Sequence, residues 1–455
     1  MRWASVLGAL LITGMGCSSV GNGSAGGTGG LGGTGGIGGA SGSGGMGGVS
    51  GTSGSGGTGG GGDCVLTQQW ETVGDWGDET FGYGNVIVLQ DPRDDRLWQV
   101  VSRSARGGPE EFDDIALFRS DDGGASWVEA ERWDFAEGRT GWSSGAAMAE
   151  DGTIFVVVRD IAFPDGSGTI DRLVRLLRRP PGGALIEAGS FRPDGSTDTR
   201  SNGLITRGSE AWFIAFDATP FPPDYHMVKY EGGTLESVDV IRYGDPANEV
   251  YVRDLEVSPA GTIWATGQGY DVGSGIWHAT IWGEGESGFA LLADIQRTPG
   301  VEESDTIMAI AFDDAERYWA AYYTIHDGQN RWRGGYGTVA DPEASFILND
   351  EFSYDETKTS LAQRICVHPS GAVFIGGHAF DSNDWQWAVI RQGTTEGFEL
   401  SDEFTRGGDG SHRSSVSSLL VDRQGNVWVA YASRPATAWY PKSTTLKKMA
   451  CVSAE

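Results

Sequence analysis

The chain has 455 residues, and its 33 lysine and arginine residues face 62 aspartate and glutamate residues, which gives a formal net charge of −29. This balance excludes nucleic acid as the expected partner, because proteins that bind polyanions present basic patches. The length is sufficient for one large domain or for two to three ordinary ones.

Residues 1–16 are predicted to be a secretory signal peptide. Arg2 precedes an apolar run that is too short to cross a bilayer, since a span takes roughly 20 apolar residues. The stretch "GMGC", which ends at Cys17, resembles a bacterial lipobox, in which the cysteine is lipidated and becomes the mature N-terminus. We therefore expect a lipid anchor in the bacterial cell envelope, at the outer membrane or the cell surface, as the only contact with a membrane. The alternative is ordinary cleavage after Gly16 and secretion.

Residues 17–62 are predicted to form a disordered tether rich in glycine and serine. Positions 21–62 contain 25 glycines in 42 positions and no charged residue. Such a segment cannot bury a core and stays a flexible coil, with an end-to-end reach of roughly 35–40 Å.

Residues 63–455 carry a seven-fold repeat in which an apolar run meets a turn and then an aromatic residue. The spacing between copies is 52 to 57 residues. Repeats of this length are typical of propeller blades, and no stretch shows sustained helical periodicity. We therefore predict an all-β domain, a seven-bladed β-propeller of four-stranded blades. The recurring aromatic residues are expected to pack between neighbouring sheets, and they are Trp98, Phe155, Trp212, Trp264, Trp319, Phe374 and Trp428.

The two chain ends are predicted to share the last blade. The segment 64–76 resembles the outer strands of other blades, yet it precedes the first inner strand, whereas the last copy ends after three strands. The N-terminal strand should therefore close the ring beside the C-terminal strand, and a disulfide between Cys64 and Cys451 would lock it in an oxidising compartment. Cys366, in an inner apolar strand, is expected to be a buried small residue.

The stretch "SDDGGASW" has the spacing of an Asp-box, with Ser120, Asp122, Gly124 and Trp127 at the motif positions. The chain thus resembles Asp-box (BNR-repeat-like) propellers, the sialidase-like superfamily in the broad sense. The resemblance implies a structural turn on the lower, outer edge of blade one. Only one full box occurs, the expected blade count is seven rather than six, and no Arg-Ile-Pro motif is present. Sialidase activity is therefore the least favoured enzymatic interpretation.

An arginine recurs in five of the loops that are expected to enter the inner strands. Guanidinium groups bind carboxylates and phosphates in a bidentate manner, so a small anionic or uronate-like ligand is one interpretation. The other is that each arginine neutralises nearby acids. The five candidate ligand-binding arginines are Arg139, Arg200, Arg253, Arg364 and Arg413.

Aromatic residues in the expected loops after the second strands form a further set of candidates. Trp332 and Trp385 are expected to be exposed with polar neighbours, where they would stack on sugar rings or anchor a protein. For catalysis, Asp254, Asp305 and His412 are the acid and base candidates, since paired carboxylates perform glycoside chemistry. No cofactor is expected, since no motif for a metal or another cofactor occurs. Calcium in the acidic turns is the alternative, although none of these turns has the spacing of an EF-hand loop.

Three functions remain open at this stage. The first is recognition of a protein or glycan on the top face without catalysis, by a protein expected to be a monomer. The second is an extracellular carbohydrate-active hydrolase or lyase, and the third is a structural scaffold. A pocket that gathers Asp254, Asp305, His412 and arginines would favour the enzyme, and a broad, shallow face would favour recognition.

Overall fold

The computed structural model describes residues 64–76, 82–104, 114–162, 171–218, 223–245, 248–295, 304–408, 410–436 and 443–453. The predicted signal peptide, the predicted lipidation site Cys17 and the predicted tether lie outside the described residues. No helix in the described ranges has the length and apolar character needed to cross a membrane.

The described residues form seven sheets of four antiparallel strands each, arranged as a seven-bladed β-propeller, as predicted. The first, innermost strands of the seven blades are β2 (Gly82–Gln90), β6 (Arg139–Met148), β10 (Thr199–Arg207), β14 (Glu249–Val257), β18 (Ser304–Phe312), β22 (Ser360–Val367) and β26 (His412–Val421). The second strands are β3 (Leu97–Ser104), β7 (Ile154–Ala162), β11 (Glu210–Asp217), β15 (Ile263–Asp271), β19 (Arg317–His326), β23 (Val373–Phe380) and β27 (Val427–Pro435).

The two remaining strands of each blade lie toward the rim. The third strands are β4 (Asp114–Ser120), β8 (Asp171–Arg179), β12 (Tyr225–Glu231), β16 (Ile276–Gly285), β20 (Gln329–Thr338), β24 (Gln386–Thr394) and β28 (Ser443–Ser453). The outermost strands are β5 (Val128–Asp134), β9 (Ile186–Phe191), β13 (Thr234–Ile241), β17 (Gly288–Ile295), β21 (Ile347–Phe352), β25 (Gly397–Phe404) and β1 (Cys64–Trp76).

The ring closes where the two ends of the domain meet, as predicted. Strand β1 pairs with β28 as the outermost strand of blade 7, with Leu66 opposite Cys451 and Trp76 opposite Thr444. The disulfide between Cys64 and Cys451 is present, with 5.5 Å between the Cα atoms. Cys366 is free, and it is half-buried rather than fully buried.

The core consists of the interfaces between neighbouring blades. The seven repeated aromatic residues are at most 4% exposed, as expected for packing residues. One cluster joins Trp98 of blade 1 to Ile154 and Val156 of blade 2, and another joins Trp428 of blade 7 to Val86 and Val88 of blade 1. Burial of these large rings between adjacent sheets fixes the angular position of each blade.

Aspartates in the hairpin turns explain how these aromatic residues are held. In blade 7, the Asp422 carboxylate accepts hydrogen bonds from the backbone N–H of Asn426 (2.8 Å) and from Trp428 Nε1 (2.7 Å). In blade 5, Asp313 accepts in the same manner from Trp319 Nε1 at 2.9 Å. One side chain thus caps the turn and satisfies the buried indole N–H, which would be costly to leave unpaired.

The turn from Ser120 to Trp127 joins β4 to β5 on the bottom face of blade 1. The backbone N–H of Gly124 donates to Ser120 Oγ at 2.8 Å, and Ser120 Oγ donates to Asp122 Oδ1 at 2.8 Å. The Trp127 ring meets Trp76 of blade 7 edge to face, with 6.1 Å between the ring centres. The turn therefore contacts the blade that closes the ring.

We expect Gly124→Ala to destabilise the protein by about 2 kcal/mol. Gly124 has a φ of 91°, and a Cβ at this position would overlap the indole ring of Trp428 in blade 7. Chemical denaturation of the variant measures the loss. Gly123→Ala is the matched control, because Gly123 also has a positive φ, of 67°, but has open space around its Cα. Equal losses in the two variants would show that backbone strain alone acts here and that the contact with Trp428 contributes nothing.

Every inner strand contains a β-bulge at a similar height. The register shifts lie between Ser143 and Gly145, Val252 and Asp254, and Ala362 and Arg364, with equivalent shifts in the other four blades. A bulge inserts an extra residue and bends the strand. Side chains at this bulge level connect neighbouring inner strands; for example, Asn202 Nδ2 donates to the Val252 carbonyl at 2.8 Å.

Candidate functional site

The top face carries the loops that enter the first strands and the loops that join second and third strands. Arg139, Arg200 and Arg413 are the first or second residues of their inner strands and therefore lie at this face. Arg253 and Arg364 lie deeper, at the bulge level of blades 4 and 6. The five predicted arginines thus occupy two different heights along the axis.

Arg139 is engaged by carboxylates. Its Nε donates to Asp160 Oδ1 at 2.5 Å, and its Nη1 lies 3.6 Å from Asp171 Oδ2. Asp160 is 1% exposed and also accepts a hydrogen bond from Arg175 Nε. This guanidinium therefore has the neutralising role that was the alternative to ligand binding.

Arg200 shares one carboxylate with Arg172. Arg200 Nη2 lies 2.9 Å from Asp198 Oδ2, and Arg172 Nη1 lies 2.7 Å from the same oxygen. Burial favours the protonated form of Asp198, yet the hydrogen bond from Arg200 and the positive charges of Arg200 and Arg172 hold its pKa below its usual value. Two guanidinium groups therefore face a single carboxylate here.

Arg159, on the second strand of blade 2, adds a buried positive charge beside this pair. Its Nε donates to the Ser201 carbonyl at 3.1 Å, and its Nη2 donates to Asn202 Oδ1 at 3.0 Å. Burial lowers its pKa to about 9, and the positive charges of Arg200 and Arg172 add to the effect. The group is still charged at neutral pH, and its hydrogen-bond acceptors are uncharged.

Arg253, in blade 4, completes what we call the arginine cluster, Arg159, Arg172, Arg200 and Arg253. Its guanidinium carbon lies 5.7 Å from the centre of the Tyr251 ring, and its Nε is buried without a hydrogen-bond acceptor. None of the ion pairs within the described residues includes Arg253.

The Tyr225 phenol connects the members of the cluster electrostatically. Burial raises its pKa, and the positive charges of Arg253, Arg200 and Arg159 oppose that rise. Asp160, Asp171, Asp198, Asp217 and Glu249 lie at this end of blades 2 to 4, and burial raises the pKa of Glu249. Within the cluster, Arg172 and Arg200 pair with a carboxylate of the described residues, whereas Arg159 and Arg253 do not.

Asp254 and Arg364 lie at the bulge level of blades 4 and 6. Asp254 is 3% exposed, and its Oδ1 has no hydrogen-bond partner within the described residues. Burial raises the pKa of Asp254 to about 7, against the opposing effects of the Arg364 charge and the Leu255 N–H. Arg364 is 4% exposed and donates from Nε to the Ser417 carbonyl at 3.1 Å.

The three predicted acid and base residues lie on three different blades and have different neighbours. Asp305, in blade 5, is 2% exposed and accepts a hydrogen bond from Thr324 Oγ1 at 2.6 Å. His412 is half-buried at the start of blade 7, where its Nδ1 lies 2.9 Å from Ser411 Oγ. Among the cavities lined by described residues, one of about 10 Å³ and one of about 30 Å³ are lined by other side chains than these three.

The prediction that Trp332 is exposed was wrong. Trp332 lies within β20, is 0% exposed and donates from Nε1 to Asp350 Oδ2 at 2.8 Å. His326 pairs with Gln329, so the expected long loop is a two-residue turn at Asp327 and Gly328, both with positive φ. Strand β20 therefore begins early, and the alternation along it directs Trp332 inward.

Trp385 is half-buried in the loop before β24, where its backbone N–H donates to Asp381 Oδ1 at 3.1 Å. Its indole lies against Gly410 of blade 7.

Sequence reasoning did not identify Arg159. The available signal was a single arginine inside the apolar run of β7, because charged side chains are seldom buried without a partner or a role.

One group of three potential metal ligands occurs within the described ranges, formed by Cys64, His368 and Cys451. The two sulfur atoms form the disulfide, and His368 Nε2 lies 2.9 Å from the Gly425 carbonyl, while the Ser370 backbone N–H donates to its Nδ1 at 3.0 Å. Because Nδ1 accepts, Nε2 carries the proton and donates to Gly425. The disulfide leaves no thiolate for a metal, and both ring nitrogens of His368 are engaged in hydrogen bonds.

No protein-family model matches the chain, and no curated protein matches it. Among solved structures, the chain is similar to an ulvan lyase, a polysaccharide lyase, with 9% identity, a TM-score of 0.52 and coverage of 83% of this chain and 96% of that one. It is also similar to a protein of unknown function from Dyadobacter fermentans, with 14% identity, a TM-score of 0.48 and coverage of 84% and 99%. A neuraminidase-like protein of a flat-faced bat isolate from Peru has 12% identity, a TM-score of 0.42 and coverage of 86% and 94%. At these identities the similarity concerns the fold alone.

Proposed function

We propose that this propeller binds an acidic glycan on its top face, without catalysis. The observation that supports the proposal most directly is Arg253. Its guanidinium lies beside the Tyr251 ring, its Nε has no acceptor, and no carboxylate of the described chain pairs with it. A buried donor without an acceptor is costly, so a ligand oxygen at this position would stabilise the site.

The ligand class follows from the chemistry of the cluster. A guanidinium group offers two parallel N–H donors to a carboxylate or sulfate, and an aromatic ring beside it provides a flat apolar surface for a sugar. Uronates and sulfated sugars carry both an anionic group for the guanidinium and a sugar ring for the aromatic surface. The ulvan lyase that shares the fold was also solved with a ligand of glucuronate and 3-sulfated rhamnose. The ligand class proposed here depends on the arginine cluster, since that similarity is limited to the fold.

A carbohydrate-active hydrolase or lyase is the second candidate, and one observation favours it. A carboxyl with a pKa of about 7, as for Asp254, is suited to general acid–base chemistry near neutral pH. The cavities of about 10 and 30 Å³ are lined by other residues than Asp254, Asp305 and His412, which argues against a shared catalytic pocket there. A protein ligand and a structural scaffold remain outcomes that the binding test distinguishes.

We further propose that the protein is a monomer displayed on the bacterial cell envelope through a lipid on Cys17, and that it uses no cofactor. The net charge of −29 supports solubility of the head and gives no basis for nucleic-acid binding. Mass spectrometry of the native N-terminus separates lipidation at Cys17 from simple secretion after Gly16.

The test of function is a binding measurement on the full chain. On an array of uronate, sulfated and neutral oligosaccharides, we expect the acidic members to bind. For the bound members, Arg253→Gln should weaken the affinity by about 10- to 100-fold, because a charge-assisted pair is lost. Isothermal titration calorimetry at fixed ionic strength provides the dissociation constants.

Arg119→Gln is the matched control, because it makes the same change in charge on the bottom face, where Arg119 pairs with the exposed Asp121. Its affinity for the glycan should equal that of the wild type. Equal binding of neutral and acidic glycans, or an affinity unchanged by Arg253→Gln, would contradict the proposal. Product formation in the same mixtures would favour the enzyme instead.

A further inference from the structure

The seam between blades 6 and 7 contains two buried polar atoms without hydrogen-bond partners. They are His378 Nε2 and Gln386 Oε1, on side chains whose residues are 5% and 6% exposed. In the register of β23 and β24, His378 pairs with Ala388 and Gln386 pairs with Phe380. The two residues therefore occupy diagonal positions on one face of the hairpin, with a Cα separation of about 7–8 Å.

The neighbouring contacts determine that both atoms are acceptors. His378 Nδ1 lies 3.2 Å from Gln363 Oε1, and since an amide oxygen only accepts, Nδ1 carries the proton and Nε2 presents a lone pair. Gln386 Nε2 donates to the Ser414 carbonyl of blade 7 at 3.1 Å, which leaves the amide oxygen as the free acceptor. Both positions therefore require a donor from outside the described chain.

Two arginines of blade 7 make this seam electropositive. Arg413 and Arg434 face each other across β26 and β27, and the Arg413 guanidinium carbon lies 5.7 Å from the centre of the Phe380 ring. Burial, together with the charges of Arg434 and Arg413, lowers the pKa of His378 to about 4, so the imidazole is neutral at pH 7. None of the ion pairs in the described ranges includes Arg413.

We propose that this seam is a second glycan subsite that takes a sugar acid, whose hydroxyl groups donate to His378 Nε2 and Gln386 Oε1 while its carboxylate or sulfate binds Arg413. The inference deepens the proposed function and rests on it. Two neutral acceptors next to a guanidinium that pairs with no carboxylate of the described residues match a hydroxylated anion. A simple carboxylate lacks the donors, and a neutral sugar lacks the charge.

The size of the donor is restricted by burial. Both acceptor atoms have almost no solvent-accessible surface, so a donor, whether a water molecule or a sugar hydroxyl, reaches them only after the neighbouring side chains shift. An ordered water at each acceptor is the competing explanation. It predicts two satisfied acceptors without any affinity for a sugar.

The experiment is a titration of the full chain with sodium glucuronate and with glucuronate-containing oligosaccharides, with acetate and glucose as partial ligands. Binding is monitored by calorimetry and by the fluorescence of Trp385, which lies at this seam against Gly410. We expect Arg413→Gln and His378→Phe each to weaken binding of the acidic sugar by about 10-fold or more. We also expect Trp385→Phe to remove most of the fluorescence change while the calorimetric signal persists.

If His378→Phe fails to fold, Arg413→Gln still tests the site, because Arg413 is half-exposed. Arg423→Gln on the bottom face is the charge-matched control. Loss of affinity in Arg253→Gln, with wild-type affinity in both seam variants, overturns the seam site and leaves the proposed function intact. No binding of any acidic sugar by the wild type overturns both. An unchanged 15N resonance of His378 Nε2 on addition of saturating glucuronate identifies an ordered water only.

Discussion

Asp254→Asn is expected to stabilise the protein at pH 8 by about 4 kcal/mol. Burial raises the pKa of this carboxyl from its usual 3.8 to about 7. Between these two values the folded state holds a proton that the unfolded state has released, so stability falls as the pH rises from about 4 to 7. One pKa unit corresponds to about 1.4 kcal/mol, and an amide removes the cost of a buried charge while it still accepts the hydrogen bond from the Leu255 N–H.

The free energy of unfolding of the wild type and of Asp254→Asn, measured by urea denaturation at pH 4, 6 and 8, checks this expectation. The two curves should converge near pH 4 and separate as the pH rises. Asp198→Asn is the control with the opposite sign, because the pKa of Asp198 is lowered in the folded state. The loss of stability caused by Asp198→Asn should be present above the unfolded pKa and should disappear as the pH falls through the lower folded pKa. A stability difference for Asp254→Asn that is independent of pH would show that the carboxyl ionises normally.

Removal of the disulfide should cost about 2–5 kcal/mol without opening the ring. The bridge joins residues 387 positions apart, so it restricts the unfolded chain strongly. Strand β1 also pairs with β28 along most of its length, and Leu66 and Trp70 pack into the core of blade 7. We therefore expect the Cys64→Ser, Cys451→Ser double variant to keep its β-sheet circular dichroism and to melt several degrees lower than the wild type.

Reduction of the wild type with a phosphine should give the same lower melting temperature as the double variant. Cys366→Ala is the control for loss of a thiol elsewhere, because Cys366 is free and half-buried. Reduction should lower the melting temperature of this variant by as much as it lowers that of the wild type. A melting temperature that is insensitive to reduction would mean that strand pairing alone closes the ring.

The architecture could be predicted because each blade contains its own signal. The aromatic residue after each hairpin turn recurs every 52 to 57 residues, and each of the seven is buried between sheets. The closing strand could also be predicted, since an outer strand before the first inner strand has no other place to pair. The bridge between Cys64 and Cys451 followed from that placement, because the two cysteines stand at the ends of the two neighbouring strands.

The exposure of individual aromatic residues could not be predicted in the same way. Trp332 stands in a polar stretch that suggested a loop, yet it lies in a third strand and is 0% exposed. A two-residue turn at Asp327 and Gly328 replaced the longer loop that polarity alone suggested. Because strand faces alternate, an error of one or two residues in where a strand begins moves a side chain from the solvent to the core.

The amino-acid sequence by itself determined the number of blades, the way the ring closes and the chemical types of residue on the top face, because these depend on repeated local patterns. Only the tertiary structure decided which charges meet. Arg139 pairs with Asp160 of its own blade, whereas Arg159 and Arg200, from neighbouring blades, come together around Tyr225. The physical reason is that the bulges and the radial packing set the height and direction of each side chain, and neither has a signature along the chain.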